Sequence, residues 1–172
     1  KRNIGDEISL RELVKYAIIY SDNSAHQMLI RYIGFNTLKS YGNSLGATLT
    51  LTGGDNFGSI NVSDASIYLK AIYQFIEKNK TLGKELKEYL VEAEVNGIKY
   101  PDLNVDVAHK YGYYDYIYND LGIVYDDNPY IIAILTYHGN DNYIEITNDI
   151  SKKINDLHHA FYSNRENICK KN

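Results

Sequence analysis

The spacing of apolar residues changes after Pro101, and this change limits the folds open to the chain more than any other feature. Up to that point apolar side chains recur at helical intervals. Beyond it, Val105 to Tyr116, Leu121 to Tyr125 and Tyr130 to Tyr137 are strand-like runs rich in Val, Ile and Tyr. Asp126-Asp127-Asn128-Pro129 reads as the hairpin turn between the last two. An antiparallel three-stranded meander is expected. Tyr143 to Tyr162 follows, with Ile144, Ile146, Ile150, Ile154, Leu157 and Phe161 roughly on one face, as suits a helix packed on that sheet. Helices followed by strands in this order give the α+β class.

The first hundred residues carry the helices. Ser9-Leu10-Arg11-Glu12 has capping-box spacing, in which hydroxyl and carboxylate satisfy each other's backbone donors. It opens a helix from Leu10 to Tyr20. A second helical pattern, Ala25 to Tyr32, ends at Gly34. From Phe35 to Ser63 five glycines stand among small polar residues, which predicts a long loop with at most one short helix near Thr37 to Tyr41. Ser63 is placed to cap a helix running to Lys78, and Thr81 to open another through Ala93.

The 172 residues, 44% of them hydrophobic, suffice for one core and are few for two, so one domain is expected over residues 1–172, mainly helical to residue 100. Eighteen basic against 22 acidic side chains, with no basic block, remove the electrostatic footprint of a nucleic-acid binder. The single cysteine, Cys169, excludes an intrachain disulfide and reads as a free thiol in a polar tail. No apolar run is long enough to span a membrane. No secretory leader pattern is present, and the chain begins at Lys1, as a piece of a longer gene product would. His26, His109, His138, His158 and His159 lack metal-ligand spacing, so neither metal nor other cofactor is expected. Glu92 with Glu94 reads as a solvated helix end, and Asp126 with Asp127 as a turn.

Ser21-Asp22-Asn23 falls at the junction of the first two helices, and taken alone it reads as a helix-junction cap. A hydroxyl, a carboxamide and a distant lysine do recur together in serine acyl-transfer sites that bind a carboxylate. Leu10 to Ala25 resembles the helix leading into the Ser-Asp-Asn motif of the penicillin-recognising serine enzymes, which comprise class A β-lactamases and related penicillin-binding proteins. Asn61-Val62-Ser63-Asp64-Ala65 resembles the start of a later helix in that family. Ala108-His109-Lys110-Tyr111-Gly112, Asn119 to Val124 and Ile131 to Tyr137 resemble its last three strands.

The resemblance implies a β-lactamase/transpeptidase-like fold and assigns roles. Ser21 resembles the hydroxyl that passes a proton to the leaving nitrogen. Asn23 resembles the carboxamide that holds the substrate's amide, while Asp22 has only a structural part. Lys110 resembles the lysine of the Lys-Thr-Gly motif, whose ammonium attracts the substrate carboxylate. Gly112, lacking a side chain, lets an extended substrate approach the strand, and the Tyr113 backbone N–H is implied as half of an oxyanion hole.

The chain departs from the family pattern at three places. The nucleophile motif Ser-x-x-Lys lies upstream of Ser-Asp-Asn in the family, and only 20 residues precede Ser21 here. The nearest imitation, Thr81-Leu82-Gly83-Lys84, comes later and reads as a cap. Tyr111 stands where the family has the carboxylate-binding Thr or Ser. Residues 35 to 60 hold Asp55 as their only acid, in place of the Glu-x-x-Asn pair that activates deacylating water.

These features imply a β-lactam or cell-wall peptide as ligand and an extracytoplasmic location. They imply slow deacylation, and a sheet edge open to a missing strand or to a second copy. A non-catalytic relative serving as a peptide-binding or interaction module is the alternative.

Overall fold

Ser9 opens the first helix, α1 (Leu10–Ile19). The Glu12 N–H donates to Ser9 Oγ at 3.2 Å and the Ser9 N–H returns to the Glu12 carboxylate at 3.3 Å, so two orphan donors are satisfied reciprocally. The computed structural model describes residues 5–48, 58–137 and 142–169. Asp22 caps α2 (Asn23–Ile33) by accepting the Ala25 N–H at 2.8 Å, and Gly34 at φ 86° ends it.

A full helix, α3 (Phe35–Leu45), replaces most of the expected loop. The glycines misled: Gly42 is buried inside the helix, and Gly46 terminates it in the left-handed conformation that glycine adopts without steric cost. Residues 49–57, with Asp55, lie outside the described residues. Helix α4 (Val62–Lys78) is capped by Asn61 rather than Ser63, with the Asp64 N–H donating to Asn61 Oδ1 at 2.7 Å. Buried Asp64 also accepts the Thr48 N–H at 2.9 Å, tying the chain after α3 to this helix start. Before α5 (Leu82–Val91), Asn79 rather than Thr81 accepts the free Leu82 N–H, at 2.9 Å.

Three antiparallel strands in the order β1-β2-β3 form the sheet: β1 (Asp106–Tyr114), β2 (Ile117–Tyr125) and β3 (Tyr130–Tyr137). The first hairpin turns at Asp115, φ 53°, and Tyr116, so Tyr116 is not strand and β2 starts four residues before the expected Leu121. Its polar opening Asn119-Asp120 hid the strand, yet both side chains are employed. Asn119 Oδ1 accepts the Thr136 N–H at 3.1 Å, and Asp120 is buried. The register sets Lys110 opposite Leu121, and Leu121 opposite Ala133.

Apolar clusters cover both sheet faces. Leu69, Ile76 and Leu90 of α4 and α5 pack on Ala108 and Ile123. Val107, Val124, Ile132 and Ile134 pack on the other face with Ile98 and with Ile150 and Ile154 of α6 (Tyr143–Cys169). Alternation therefore sends Lys110 with Ala108 toward the helices, and His109 with Val107 toward α6. The buried stripe of α6 differs from the expected one: Ile144, Ile146, Leu157 and Phe161 are exposed, whereas Thr147, Ser151 and Asn155 are buried. Thr147 donates back to Tyr143 O of its own helix, whereas the partner of Ser151 and Asn155 is the irregular segment before β1, whose polar groups need bonds. Ser151 Oγ donates to Ile98 O at 2.7 Å and Asn155 Nδ2 to Tyr100 Oη at 3.1 Å. Among the described residues no helix is long and apolar enough to cross a membrane.

Candidate active site

Ser21 is the single residue between Tyr20, which caps the end of α1, and Asp22, the cap of α2, and is held at φ 51° in the left-handed region. A non-glycine residue there costs about 1 kcal/mol and persists only when its surroundings fix it. The Asp22 N–H donates to Tyr16 O at 3.2 Å and its carboxylate caps α2, so the residue after Ser21 is fixed at both ends. The serine hydroxyl is thereby aimed across at the sheet.

Lys110, 89 residues away on β1, donates from its ammonium to Ser21 Oγ. The lysine stands on the wall of a cavity of about 100 Å³ between α4, α5 and the sheet, whose other walls include Leu69, Leu90, Leu121 and Ile123. Burial pulls its pKa down to about 8, against the charges of Asp120 and Glu94, which favour its proton. The Tyr111 ring centre lies 4.2 Å from the ammonium and 6.2 Å from the Tyr118 ring of β2, so this phenol is a cation–π partner of Lys110.

Asn23 is the first residue of α2 and exposed, with capping left to Asp22. Gly112 is exposed, and a Cβ there would meet nothing within 4 Å, so no contact within the chain demands a glycine. Tyr113 is exposed toward the hairpin end of β1, stacked on Tyr143 with ring centres 5.1 Å apart. The fold thus brings Ser21 and Lys110 into contact, sets Asn23 two residues beyond Ser21 at the start of α2, and ranges Tyr111, Gly112 and Tyr113 along an edge strand.

Two carboxylates near Lys110 escaped the sequence reading. Glu94 is no helix end: α5 stops at Val91, and the Glu94 N–H donates to Ile19 O at 3.1 Å. Asp120 lies beneath the strand with His109, Nδ1 to Oδ1 2.9 Å, and both are fully buried. Their one sequence signal was the inward register of His109 on a strand. His158 and His159 reach the β2–β3 turn separately, at Asn128 O (2.8 Å) and Asp126 (2.9 Å), and His138 lies outside the described residues. Among the described residues no group of three His, Cys, Asp or Glu is arranged to hold a metal.

The family model described as the beta-lactamase enzyme family matches residues 1–158. Among solved structures, a representative of class A beta-lactamase from Bacteroides cellulosilyticus is 26% identical, with a TM-score of 0.72 over 84% of this chain and 62% of that one. A PBP-A variant in an acyl-enzyme complex with penicillin G is 17% identical, with a TM-score of 0.75 over 90% of this chain and 65% of that one. A beta-lactamase from Sphaerobacter thermophilus is 17% identical, with a TM-score of 0.68 over 88% of this chain and 63% of that one. The chain thus spans less than two thirds of the length of each. No curated protein matches it.

Proposed function

We propose, from the premise that this chain belongs to the beta-lactamase enzyme family over residues 1–158, that it contributes one wall of a serine acyl-transfer site acting on a β-lactam or a cell-wall peptide. The observation that carries the reading is the contact between Lys110 and Ser21. In acyl transfer a serine oxygen adds to the amide carbonyl, the carbon–nitrogen bond breaks, and the leaving nitrogen must gain a proton. Ser21 is suited to relay that proton, because its oxygen can accept from the attacking side while donating to the nitrogen. Lys110 supplies positive charge that holds the substrate carboxylate and eases the relay. Asn23 offers donor and acceptor to the substrate amide, the bare strand at Gly112 admits an extended backbone, and the Tyr113 N–H supplies part of the oxyanion hole.

No Ser-x-x-Lys occurs in these 172 residues. The nucleophile would come from preceding sequence in the complete protein, and this chain alone would be inactive, as part of one domain. Without a Glu-x-x-Asn pair the acyl-enzyme would hydrolyse slowly, which favours a penicillin-binding enzyme over an efficient β-lactamase. An extracytoplasmic location accords with that substrate class. A second reading, a non-catalytic peptide-binding module, draws on the Tyr111 ring lying against the ammonium that a carboxylate would otherwise meet.

Intact mass of the complete protein after incubation with a penicillin tests the choice. A persistent adduct is expected; absence of both adduct and turnover would overturn the acyl-transfer reading in favour of the module.

A further inference from the structure

Beneath Lys110 strands β1 and β2 together carry a polar device that the acyl-transfer chemistry does not itself use. His109 and Asp120 are fully buried on the α6 side of the sheet. Asp120 Oδ2 accepts the Gly97 N–H at 3.1 Å and the Ile98 N–H at 2.9 Å, while Oδ1 meets His109 Nδ1 at 2.9 Å. Asp120 accepts at every contact, so the ring nitrogen facing it is the donor.

The segment held by Asp120 leads back to the serine. Residues 94–98 are bound at their far end by the Glu94 N–H to Ile19 O, two residues before Ser21. Val95 between them is held at φ 65°, a conformation a β-branched residue adopts only under constraint. Gly97 leaves no room: a Cβ would lie 2.5 Å from Tyr118 Oη and 2.9 Å from Asp120 Oδ2. One short segment therefore joins the helix end carrying Ser21 to the carboxylate that grips the strand carrying Lys110.

We propose that Asp120 is a positioning residue of this site, clamping the 94–98 segment to β1 through Gly97, Ile98 and His109 and so fixing Lys110 against Ser21. Its negative charge has a second effect: it favours the proton on Lys110. The other groups facing that ammonium are Ser21 from the α1–α2 junction, Glu94 from the segment and Tyr111 on its own strand, with Tyr68 of α4 on the shared cavity wall. The catalytic consequence rests on the proposed acyl transfer, whereas the clamp is a property of this chain alone.

The test is a pH titration of the Lys110 side chain by NMR in this chain. In Asp120→Asn the midpoint should fall by about half a pH unit or more below that of the wild type, because a favourable charge is lost. An unchanged midpoint in a folded variant would overturn the proposal. Should Asp120→Asn fail to fold, Gly97→Ala serves, since it displaces the segment without altering any charge. The expected result is loss of the Ser21–Lys110 contact and shifted Lys110 resonances; unchanged resonances would overturn the clamp. Absence of a penicillin adduct in the complete protein would sink the acyl-transfer reading and leave these titrations untouched.

Discussion

Ser21, Asp22 and Asn23 divide two tasks among three adjacent positions, and the division can be measured. Asp22 accepts the α2 donor and Asn23 does not, so Asp22→Ala should cost about 1 kcal/mol in denaturant unfolding while Asn23→Ala costs a few tenths at most. In the complete protein Asn23→Ala should instead slow acylation, and equal stability losses in both variants would return Asn23 to a capping role. Lys110 gives a prediction of definite sign. Its folded pKa of about 8 lies below the ordinary lysine value of 10.5, so between those values the unfolded chain holds a proton that the folded chain has released. Folding stability contributed at this position therefore rises with pH across that window, on the order of 1–3 kcal/mol. Urea unfolding at pH 7.5 and pH 10 should show the wild type gaining on Lys110→Met; no relative gain would mean that the amine is solvated. The Ser21–Lys110 pair was legible only through family resemblance, since nothing local links positions 89 residues apart. Asp120 stayed hidden because a lone acid in a polar run reads as surface until the register sets it under a strand.

Helix starts and the late hairpin could be read from local chemistry because their determinants lie within a few residues. The capping box at Ser9 and the turn at Asp126 to Pro129 are of this kind. The errors have two causes: tertiary packing overrode composition in α3, and a second capping side chain nearby competed at α4 and α5. Glycines suggesting a loop sit inside α3 at Gly42 and at its left-handed end at Gly46, and the capping side chains of α4 and α5 are asparagines two residues before the expected Ser63 and Thr81. Gly83 offers a test at this scale. Alanine is the better helix former by about 1 kcal/mol, yet a Cβ at Gly83 would lie 2.6 Å from Ile76 O, where α4 and α5 meet. Gly83→Ala should therefore destabilise by about 1–3 kcal/mol in chemical denaturation; a stabilised variant would show that the two helices can part freely.

Across the molecule, the change of apolar spacing after Pro101 foretold the order of helices, meander and closing helix. It did not foretell that α6 would bury Thr147, Ser151 and Asn155, because Ser151 and Asn155 answer to Ile98 O and Tyr100 Oη, in a segment distant in sequence. Sheet position also sets local stability. Strand β2 is paired on both edges and covered on both faces, so its amides should exchange with deuterium most slowly, while outward N–H groups of β1 and β3 exchange faster. Protection of β3 equal to that of β2, and growing with protein concentration, would mean that its outer edge pairs with a second copy. The alternation along β1 has a last consequence, for how such a gene can vary. Neighbouring positions face different compartments, with Ala108 and Lys110 toward the helices and Val107 and His109 toward α6. Substituting one residue disturbs one compartment, but deleting one between Val107 and Tyr111 exchanges the contents of both. Single-residue deletions should thus abolish folding within that stretch, so that this part of the reading frame varies in spelling while its length stays fixed.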